Sequence, residues 1–267
     1  MIDKSVLITG STGMLGKDFY SLINKKYRKT ITLNRIDGNL LNPVFISEFL
    51  DKNNPDIIIH CIADTNVARC EKNKEQTLSL HRDLTDYLSS YNAKFVYIST
   101  DAVINPTNFY AESKLLGEKI ALKNNQDCIV VRCNMYGINS SSKNSLFEWA
   151  YKNLKKSTEI TGYTNVIFNA VYTKQIVFSV EKIIQSNFKG IINVGGNYSI
   201  SKYEFLKKIC EVFEFDTKLV HLGEIDSSGD KKINDTTLNV DVLNNKFDIE
   251  LSLDEGLKQL RRDFYDK

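Results

Sequence analysis

Five short apolar runs rich in β-branched residues recur along the first half of the chain, and segments with helical periodicity separate them. The runs span residues 5–9, 30–33, 56–60, 94–98 and 128–132. Because they are continuously apolar rather than alternating, they predict strands covered on both faces, as in a parallel sheet. Their alternation with helices predicts an α/β fold with a Rossmann-like, doubly wound parallel sheet.

The intervening helices show apolar stripes at three- and four-residue spacing. One stripe is formed by Leu80, Leu84, Tyr87 and Leu88, and another by Leu115, Leu116, Ile120 and Leu122. Beyond Gly137 the pattern is less regular, with helices predicted around 146–154, after a Ser201/Glu204 capping box, and over 252–260. We therefore expect one domain in residues 1–134 and 166–195 and a smaller C-terminal α/β lobe in 135–165 and 196–267.

The composition is that of a globular protein and excludes several classes. Lysine and arginine total 35 against 33 acidic residues, and the basic pairs are scattered, so no nucleic-acid partner is expected. No apolar run approaches the roughly 18 residues of a membrane span, and the N-terminus enters a strand pattern directly, so a cytoplasmic protein is expected. The five cysteines and three histidines form no metal-ligand pattern; the cysteines are interpreted as small core residues in a reducing compartment, and no metal is expected.

Three glycines follow the first strand and open a helix. In that context Gly10 supplies a tight turn, Gly13 lets backbone N–H groups approach a pyrophosphate, and Gly16 allows close packing of helix on strand. The pattern predicts a dinucleotide site, with an ordinary glycine-bearing turn as the alternative. Its contacts would come from Gly10, Thr12, Gly13, Met14 and Leu15.

The residues after the second strand indicate which dinucleotide is bound. An NAD site would offer an acid to the ribose hydroxyls, whereas Asn34 and Arg35 suit a 2′-phosphate, so NADP(H) is favoured over NAD(H). Asp37 keeps NADH open, and Arg35 as a solvated loop residue is the alternative. Further cofactor contacts are expected from Asn39 and Leu40 near the adenine and from Cys61, Ile62 and Ala63 after the third strand.

Tyr110 and Lys114 are four residues apart, so a helix would place both side chains on one face. A neighbouring ammonium favours the ionised phenol and would let a tyrosine act as an acid near neutral pH. Thr100, at the end of the fourth strand, would orient and polarise a carbonyl that accepts a hydride. We interpret the three as catalytic, with Tyr110 and Lys114 also touching the cofactor; an ordinary amphipathic face is the alternative.

Four motifs of the chain resemble the extended short-chain dehydrogenase/reductase superfamily, nearest to its dTDP-4-dehydrorhamnose reductase branch. They span residues 9–16, 99–101, 110–118 and 131–137, and the segments 164–169 and 201–205 are also similar to that branch. The resemblance implies Thr100, Tyr110 and Lys114 as the catalytic set and a nucleotide-diphosphate sugar as the substrate. It implies NADPH-dependent reduction of a 4-keto-6-deoxy sugar nucleotide in polysaccharide precursor synthesis.

The same resemblance points to substrate-binding residues, namely Asp101, Asn134, Asn169 and Tyr172, with Arg132 and Lys174 as further candidates. Trp149 is expected in the core rather than as a sugar-stacking platform. Neither the nucleotide base nor the sugar stereochemistry is defined, and a homodimer is left open.

The chain departs from its relatives at three places. Only eight residues separate Asp101 from Tyr110, where relatives have a longer loop that helps wall the sugar site. His81 stands where many relatives carry an asparagine that bends a helix and supports a proton relay; it is interpreted as a helix-surface residue, with a substituting role as the alternative. Ala102 replaces the glutamate that related dehydratases use as a base, which favours a reductase over a dehydratase or an epimerase. The short loop keeps open a non-catalytic, NADP-binding regulatory subunit like the β subunit of methionine adenosyltransferase.

Overall fold

All five apolar runs of the first half form strands, and helices connect them. The computed structural model describes residues 1–139, 145–225 and 234–266. Up to residue 133 the elements are, in chain order, β1 (Ile2–Thr9), α1 (Met14–Ile23), β2 (Tyr27–Leu33), α2 (Pro43–Asn53), β3 (Ile57–His60), α3 (Val67–Lys72), α4 (Lys74–Leu78), a π-helical turn (Ser79–Asp83), α5 (Leu84–Ser89), β4 (Lys94–Ile98), a 3-10 helix (Asp101–Ile104), α6 (Phe109–Asn124) and β5 (Ile129–Cys133).

The remaining elements are shorter, and many are two- to five-residue strands. They are β6 (Met135–Tyr136), α7 (Leu146–Leu154), β7 (Ile160–Tyr163), β8 (Val166–Phe168), β9 (Val171–Tyr172), α8 (Thr173–Ile184), β10 (Gly190–Val194), β11 (Ile200–Ser201), α9 (Lys202–Phe213), a 3-10 helix (Thr217–Leu219), β12 (Val220–Gly223), β13 (Asn234–Asp235), α10 (Asp241–Phe247) and α11 (Leu253–Tyr265). The predicted capping box of α9 is present, since Ser201 and Glu204 each bond the other's backbone N–H.

These elements divide between two units. Unit 1 comprises Met1–Arg132 and Val177–Ile192, and unit 2 comprises Cys133–Ile176 and Asn193–Lys267. Residues 166–176, which the sequence pattern assigns to the first domain, belong to unit 2. The chain therefore leaves the first unit after β5 and returns to it with α8.

A six-stranded sheet in the order β10-β5-β4-β3-β1-β2 organises unit 1. The pairs β1–β2, β1–β3, β3–β4 and β4–β5 are parallel, which confirms the predicted doubly wound sheet. From β1 the chain winds first to β2 and then back past β1 to β3, so the order reverses between β1 and β3. In open α/β sheets ligands bind outside the carboxyl ends of the strands at such a reversal.

Continuously apolar strands build the core of unit 1, as the sequence predicts. Val6, Leu7, Ile8, Ile58 and Val96 are among the side chains with no exposed surface. Four of the five cysteines are buried and Cys61 is half-buried, all as free thiols. Within the described ranges no helix is long and apolar enough to cross a bilayer, and no group of three or more potential metal ligands occurs.

Unit 2 has its own aromatic core, in which Phe147, Phe205 and Phe213 pack together. The expectation that Trp149 lies in this core is wrong, because the side chain is 39% exposed. The apolar face of α7 is carried instead by Phe147, Ala150 and Leu154, and Trp149 lies off that face.

Candidate active site

The loop between β1 and α1 is a tight glycine turn. Gly10 has φ of +72°, a left-handed conformation that favours glycine, and its carbonyl accepts the N–H of Gly13 at 2.9 Å. A Cβ on Gly16 would overlap the carbonyl of Gly10, so helix α1 can approach the loop only because residue 16 is glycine. The loop therefore has the shape that the glycine pattern predicts.

The N-terminus of α1 faces this loop without a side-chain cap. Gly13 is the N-cap residue, and it makes no side-chain capping bond to the first turn. Uncapped N–H groups and the helix dipole together favour an anion, so these residues fit a pyrophosphate. Met14 is half-buried at the helix start, whereas the side chain of Leu15 turns into the core with 5% exposure, which leaves its backbone as the group available to a ligand.

Asn34, at the end of β2, holds the glycine loop by its side chain. Its Oδ1 accepts from Ser11 Oγ at 3.2 Å and from the Thr12 N–H at 3.3 Å. The carboxylate of Asp37 accepts the Asn34 backbone N–H at 2.7 Å, so it closes the local turn. Arg35 is exposed beside them. Its guanidinium is therefore accessible to an anionic ligand, whereas an NAD-type site would offer a carboxylate at the end of β2.

The segment after β3 lies against the glycine loop. A Cβ on Gly10 would meet the side chain and backbone N of Ile62 at 3.0 and 3.2 Å, and the Cys61 N–H donates to Thr9. Ala63 is half-buried in the same segment. Residues 61–63 thus flank the sheet reversal, and their contact with a cofactor stays a prediction.

Asn39 and Leu40, the two residues expected near the adenine, differ in exposure. The Asn39 side chain is exposed and accepts the N–H of Leu41. Leu40 is 4% exposed and packs in the core of unit 1 with Leu33 and Ile46. Their contact with a cofactor stays a prediction.

Thr100 lies directly beyond β4 and caps the following 3-10 helix. Its Oγ1 donates to Asp101 Oδ1 at 2.9 Å and accepts the Ala102 N–H at 3.3 Å. Both Thr100 and Asp101 are buried, at 8% and 5% exposure. The hydroxyl is therefore held at the strand end, with its proton directed to the carboxylate of the next residue.

Tyr110 and Lys114 lie one turn apart on α6, as the spacing predicts. Lys114 is 2% exposed, and its Nζ donates to the carbonyl of Ile98 at 2.8 Å and lies 4.0 Å from the ring centroid of Tyr97. The carbonyl and the ring face offset the cost of burying the ammonium. Because Ile98 ends β4 two residues before Thr100, the same contact brings Lys114 to the strand end where Thr100 lies.

One turn after Lys114 on α6, Glu118 forms a buried ion pair with Arg132 that the sequence pattern does not predict. Glu118, 1% exposed, accepts from Ser99 Oγ at 2.5 Å and from two nitrogens of Arg132, with Nη2 to Oε2 at 2.6 Å. Arg132, a candidate for the substrate diphosphate, is thus engaged within unit 1. The available signal was the spacing of Lys114 and Glu118, again four residues on one helix.

The interpretation of His81 as a helix-surface residue is wrong. The side chain is 1% exposed, in the π-helical turn before α5. Its Nε2 accepts the Asp64 N–H at 2.9 Å, and its Nδ1 lies 2.8 Å from Ser113 Oγ. The apolar stripe of Leu80 and Leu84 does not predict the burial of His81, because a π-turn changes which positions face inward.

In unit 2 the substrate candidates already have polar partners. The amide of Asn169 donates to the carbonyls of Gly196 and Leu238 and accepts the Leu238 N–H, all at 2.9–3.0 Å. The hydroxyl of Tyr172 donates to Asp263 at 2.8 Å.

Two further candidates belong to the same unit. Lys174 Nζ pairs with the other oxygen of Asp263, at 2.7 Å. Asn134 is half-buried, and its carbonyl accepts the Val171 N–H. A substrate role for Asn134, Asn169 and Tyr172 stays a prediction.

Unit 2 also contains a largely apolar cavity of about 630 Å³. Trp149 and Tyr163 contribute aromatic surface, and Lys202 and Glu159 contribute charges. The volume is in the usual range of small-molecule sites. Polar groups accompany an apolar wall, so the cavity can take an aromatic ring with hydrogen-bonding edges.

A family model described as the RmlD substrate binding domain matches residues 4–235. The spore coat polysaccharide biosynthesis protein SpsK of Bacillus subtilis is 26% identical over 234 residues, covering 80% of this chain and 81% of that protein. The methionine adenosyltransferase 2 subunit beta of Bos taurus is 25% identical over 265 residues, covering 85% and 76%.

Among solved structures, dTDP-4-dehydrorhamnose reductase of Bacillus anthracis, crystallised in complex with NADP, superposes with a TM-score of 0.89 at 22% identity. The match covers 98% of this chain and 100% of that one. At this identity the superposition establishes the fold.

Proposed function

The chain belongs to the RmlD substrate binding domain family, and on that premise we propose that it reduces the 4-keto group of a nucleotide-diphosphate 6-deoxy sugar with NADPH, in the synthesis of a polysaccharide precursor. One observation carries the proposal. The ammonium of Lys114 is anchored on the last residue of β4, so a Tyr/Lys pair and Thr100 lie at the same strand end, on the sheet edge that also bears the glycine loop.

Each residue has a defined task in this reaction. The glycine loop would hold NADPH, which would supply a hydride to the carbonyl carbon. Tyr110 gives its phenolic proton to the oxygen, which would otherwise become an alkoxide. The buried ammonium of Lys114 stabilises the phenolate that remains. Thr100 donates a hydrogen bond to the same oxygen once its hydroxyl turns from Asp101.

The residues at the end of β2 support NADPH as the cofactor. Asp37 closes the turn after Asn34, and one of its carboxylate oxygens accepts the Asn34 backbone N–H. Arg35 is exposed and can form paired hydrogen bonds with a 2′-phosphate.

We assign the nucleotide base of the substrate to the cavity in unit 2. Trp149 and Tyr163 supply aromatic surface for stacking, and both are at least 39% exposed. Trp149→Ala should raise KM for the sugar nucleotide several-fold and leave kcat nearly unchanged, because the diphosphate separates the base from the reacting carbon and the base takes no part in the chemistry.

The test is NADPH consumption by the purified protein with 4-keto-6-deoxy sugar nucleotides that carry thymidine, uridine or guanosine. Tyr110→Phe should abolish turnover and retain NADPH binding, while Tyr20→Phe, which removes an exposed hydroxyl from α1, should behave as wild type. Full activity of Tyr110→Phe would refute the mechanism.

A regulatory subunit that binds NADP without catalysis is the second candidate. It is favoured by the short passage from Thr100 to Tyr110, in which the 3-10 helix Asp101–Ile104 is followed within five residues by α6. The presence of all three of Thr100, Tyr110 and Lys114 argues against it, since a subunit without catalysis does not need the complete set. No turnover with any sugar nucleotide, together with tight binding of a methionine adenosyltransferase catalytic subunit, would support this candidate.

A dehydratase or an epimerase is less compatible with the site. Residue 102, directly after the Thr100/Asp101 pair, is alanine, so a base for water elimination is missing at that position. Conversion of a nucleotide-diphosphate hexose into its 4-keto-6-deoxy product, with release of water and no net NADPH consumption, would reverse this ranking.

A further inference from the structure

His81 connects the segment after β3 with helix α6, which carries Tyr110 and Lys114. The imidazole lies between the segment that follows β3 and the first turn of α6. Its Nε2 accepts the Asp64 N–H at 2.9 Å, its Nδ1 lies 2.8 Å from Ser113 Oγ, and its ring meets the Tyr110 ring edge-on with centroids 6.0 Å apart. No other imidazole in the described part of the chain contacts Tyr110 in this way.

The hydrogen bonds define the protonation state of His81. Because Nε2 accepts from a backbone N–H, the proton of the neutral ring must be on Nδ1, which then donates to Ser113 Oγ. The Ser113 hydroxyl in turn donates to the Tyr110 carbonyl at 2.9 Å. One chain of hydrogen bonds, all donated in the same direction, therefore runs from the Asp64 N–H through His81 and Ser113 to the backbone carbonyl of Tyr110.

The surroundings keep the imidazole neutral. Burial and the nearby Lys114 ammonium lower the pKa of His81 to about 3, although the Asp64 carboxylate acts in the opposite direction. That carboxylate is paired with Arg69. The hydrogen-bond chain therefore keeps its direction throughout the physiological pH range.

We propose that His81 is a positioning residue that ties the segment after β3 to α6 and so holds the Tyr110 phenol in place beside Lys114. The inference rests on the proposed function, in which Tyr110 is the proton donor. It assigns His81 no contact with the substrate. A displaced phenol would interact less with the ammonium, because their attraction falls with distance.

The experiment measures the Tyr110 phenol directly. Protein labelled with ¹³Cζ-tyrosine is titrated by NMR, and the Tyr110 signal is identified by its loss in Tyr110→Phe. His81→Gln can keep the bond to Asp64 and loses the bond to Ser113, while Ser113→Ala removes the same bond from the other side. Both variants should move the Tyr110 titration to higher pH than in the wild type, because a phenol further from the ammonium ionises less readily. Both should also lower kcat about tenfold, with KM within about twofold.

Thr77→Val is the matched control, since it removes a buried hydroxyl that donates to the Asn73 carbonyl at 2.9 Å on the neighbouring α4. It should lower the melting temperature without moving the Tyr110 signal. A lower melting temperature of His81→Gln and Ser113→Ala with an unchanged Tyr110 titration would overturn the proposal. The NMR titration needs no substrate, so absence of turnover in the wild type would refute the proposed function and leave this test intact.

Discussion

Arg132 and Glu118 form a two-pronged ion pair that joins β5 to α6, with Arg132 Nη2 at 2.6 Å and Nε at 2.9 Å from the carboxylate oxygens. The carboxylate also accepts from Ser99, the residue before Thr100. The end of β4 and helix α6, which carry the proposed chemistry, are therefore connected to β5 through one buried charge.

Replacing Glu118 by glutamine should destabilise the protein strongly. The amide can keep one hydrogen bond but leaves Arg132 without a counter-charge, and breaking a buried pair costs about 3 kcal/mol or more. Urea unfolding should show this loss, whereas Glu112→Gln, an exposed position on the same helix, should change the free energy of unfolding by about 0.5 kcal/mol or less. Equal small effects of both substitutions would show that the pair is not important for stability.

Gly16→Ala should disrupt the glycine loop. The added Cβ would overlap the carbonyl of Gly10, so α1 and the loop must separate. The uncapped N–H groups would then no longer converge on one anion, and we expect NADPH affinity to fall about 100-fold, equivalent to about 2.7 kcal/mol. Fluorescence titration with NADPH measures the effect, and circular dichroism checks that the variant is folded. Wild-type affinity in a folded variant would contradict the assignment of the loop.

Arg35→Ala should weaken NADPH selectively. Hydrogen bonds between charged groups contribute about 1.5–3 kcal/mol, so the dissociation constant for NADPH should rise about 10- to 100-fold and that for NADH should not change. Lys25→Ala, which removes another exposed cation of unit 1, is the control. Parallel weakening of both cofactors would exclude Arg35 as the phosphate ligand.

Buried histidines should make the protein sensitive to mild acid. The pKa of His81 is lowered to about 3 and that of His60 is lowered well below its ordinary value, both chiefly by burial. Below about pH 6.5 the unfolded chain binds protons that the folded protein does not, so the free energy of unfolding falls as pH falls, by up to about 1.4 kcal/mol per pH unit for each histidine.

Urea unfolding at several pH values between 7.5 and 5 measures this slope. His81→Asn should show a shallower slope than the wild type, since one buried imidazole is gone. A steeper slope in His81→Asn would mean that the sign is wrong.

Asn169→Leu should lower stability more than it affects the reaction. The substitution leaves the Gly196 carbonyl and both backbone groups of Leu238 without their partner, and each buried unsatisfied group costs about 1–3 kcal/mol. Thermal unfolding should show a large loss. A selective rise of KM for the sugar nucleotide with unchanged stability would instead support the substrate role that the sequence suggests.

The sequence predicts well whatever depends on local pattern. The β-branched runs identify the strands of the sheet up to β5, and the Gly10–Gly16 spacing predicts a tight turn because each glycine has a steric reason to be there. The shared helix face of Tyr110 and Lys114 is also predictable, because a spacing of four residues on a helix is a local property.

Partners distant in sequence could not be predicted in this way. Asp64, Ser113 and His81 meet only because a π-turn and a strand end converge, and no periodicity specifies that contact. Trp149 fits an apolar helix equally well inside or outside, so its exposure depends on which face α9 covers. Residues 140–144, part of the polar stretch before α7, lie outside the described residues.

The late arrival of β10 has a consequence for biosynthesis. The sheet of unit 1 ends at β5 until residues 190–194 have been made, and the 56 intervening residues, 134–189, include all of unit 2's first segment except Cys133. During that interval the nascent chain exposes an apolar edge strand, which is a template for pairing with other chains. A ribosome that pauses between α7 and α8 would therefore hold the chain with this edge strand unpaired.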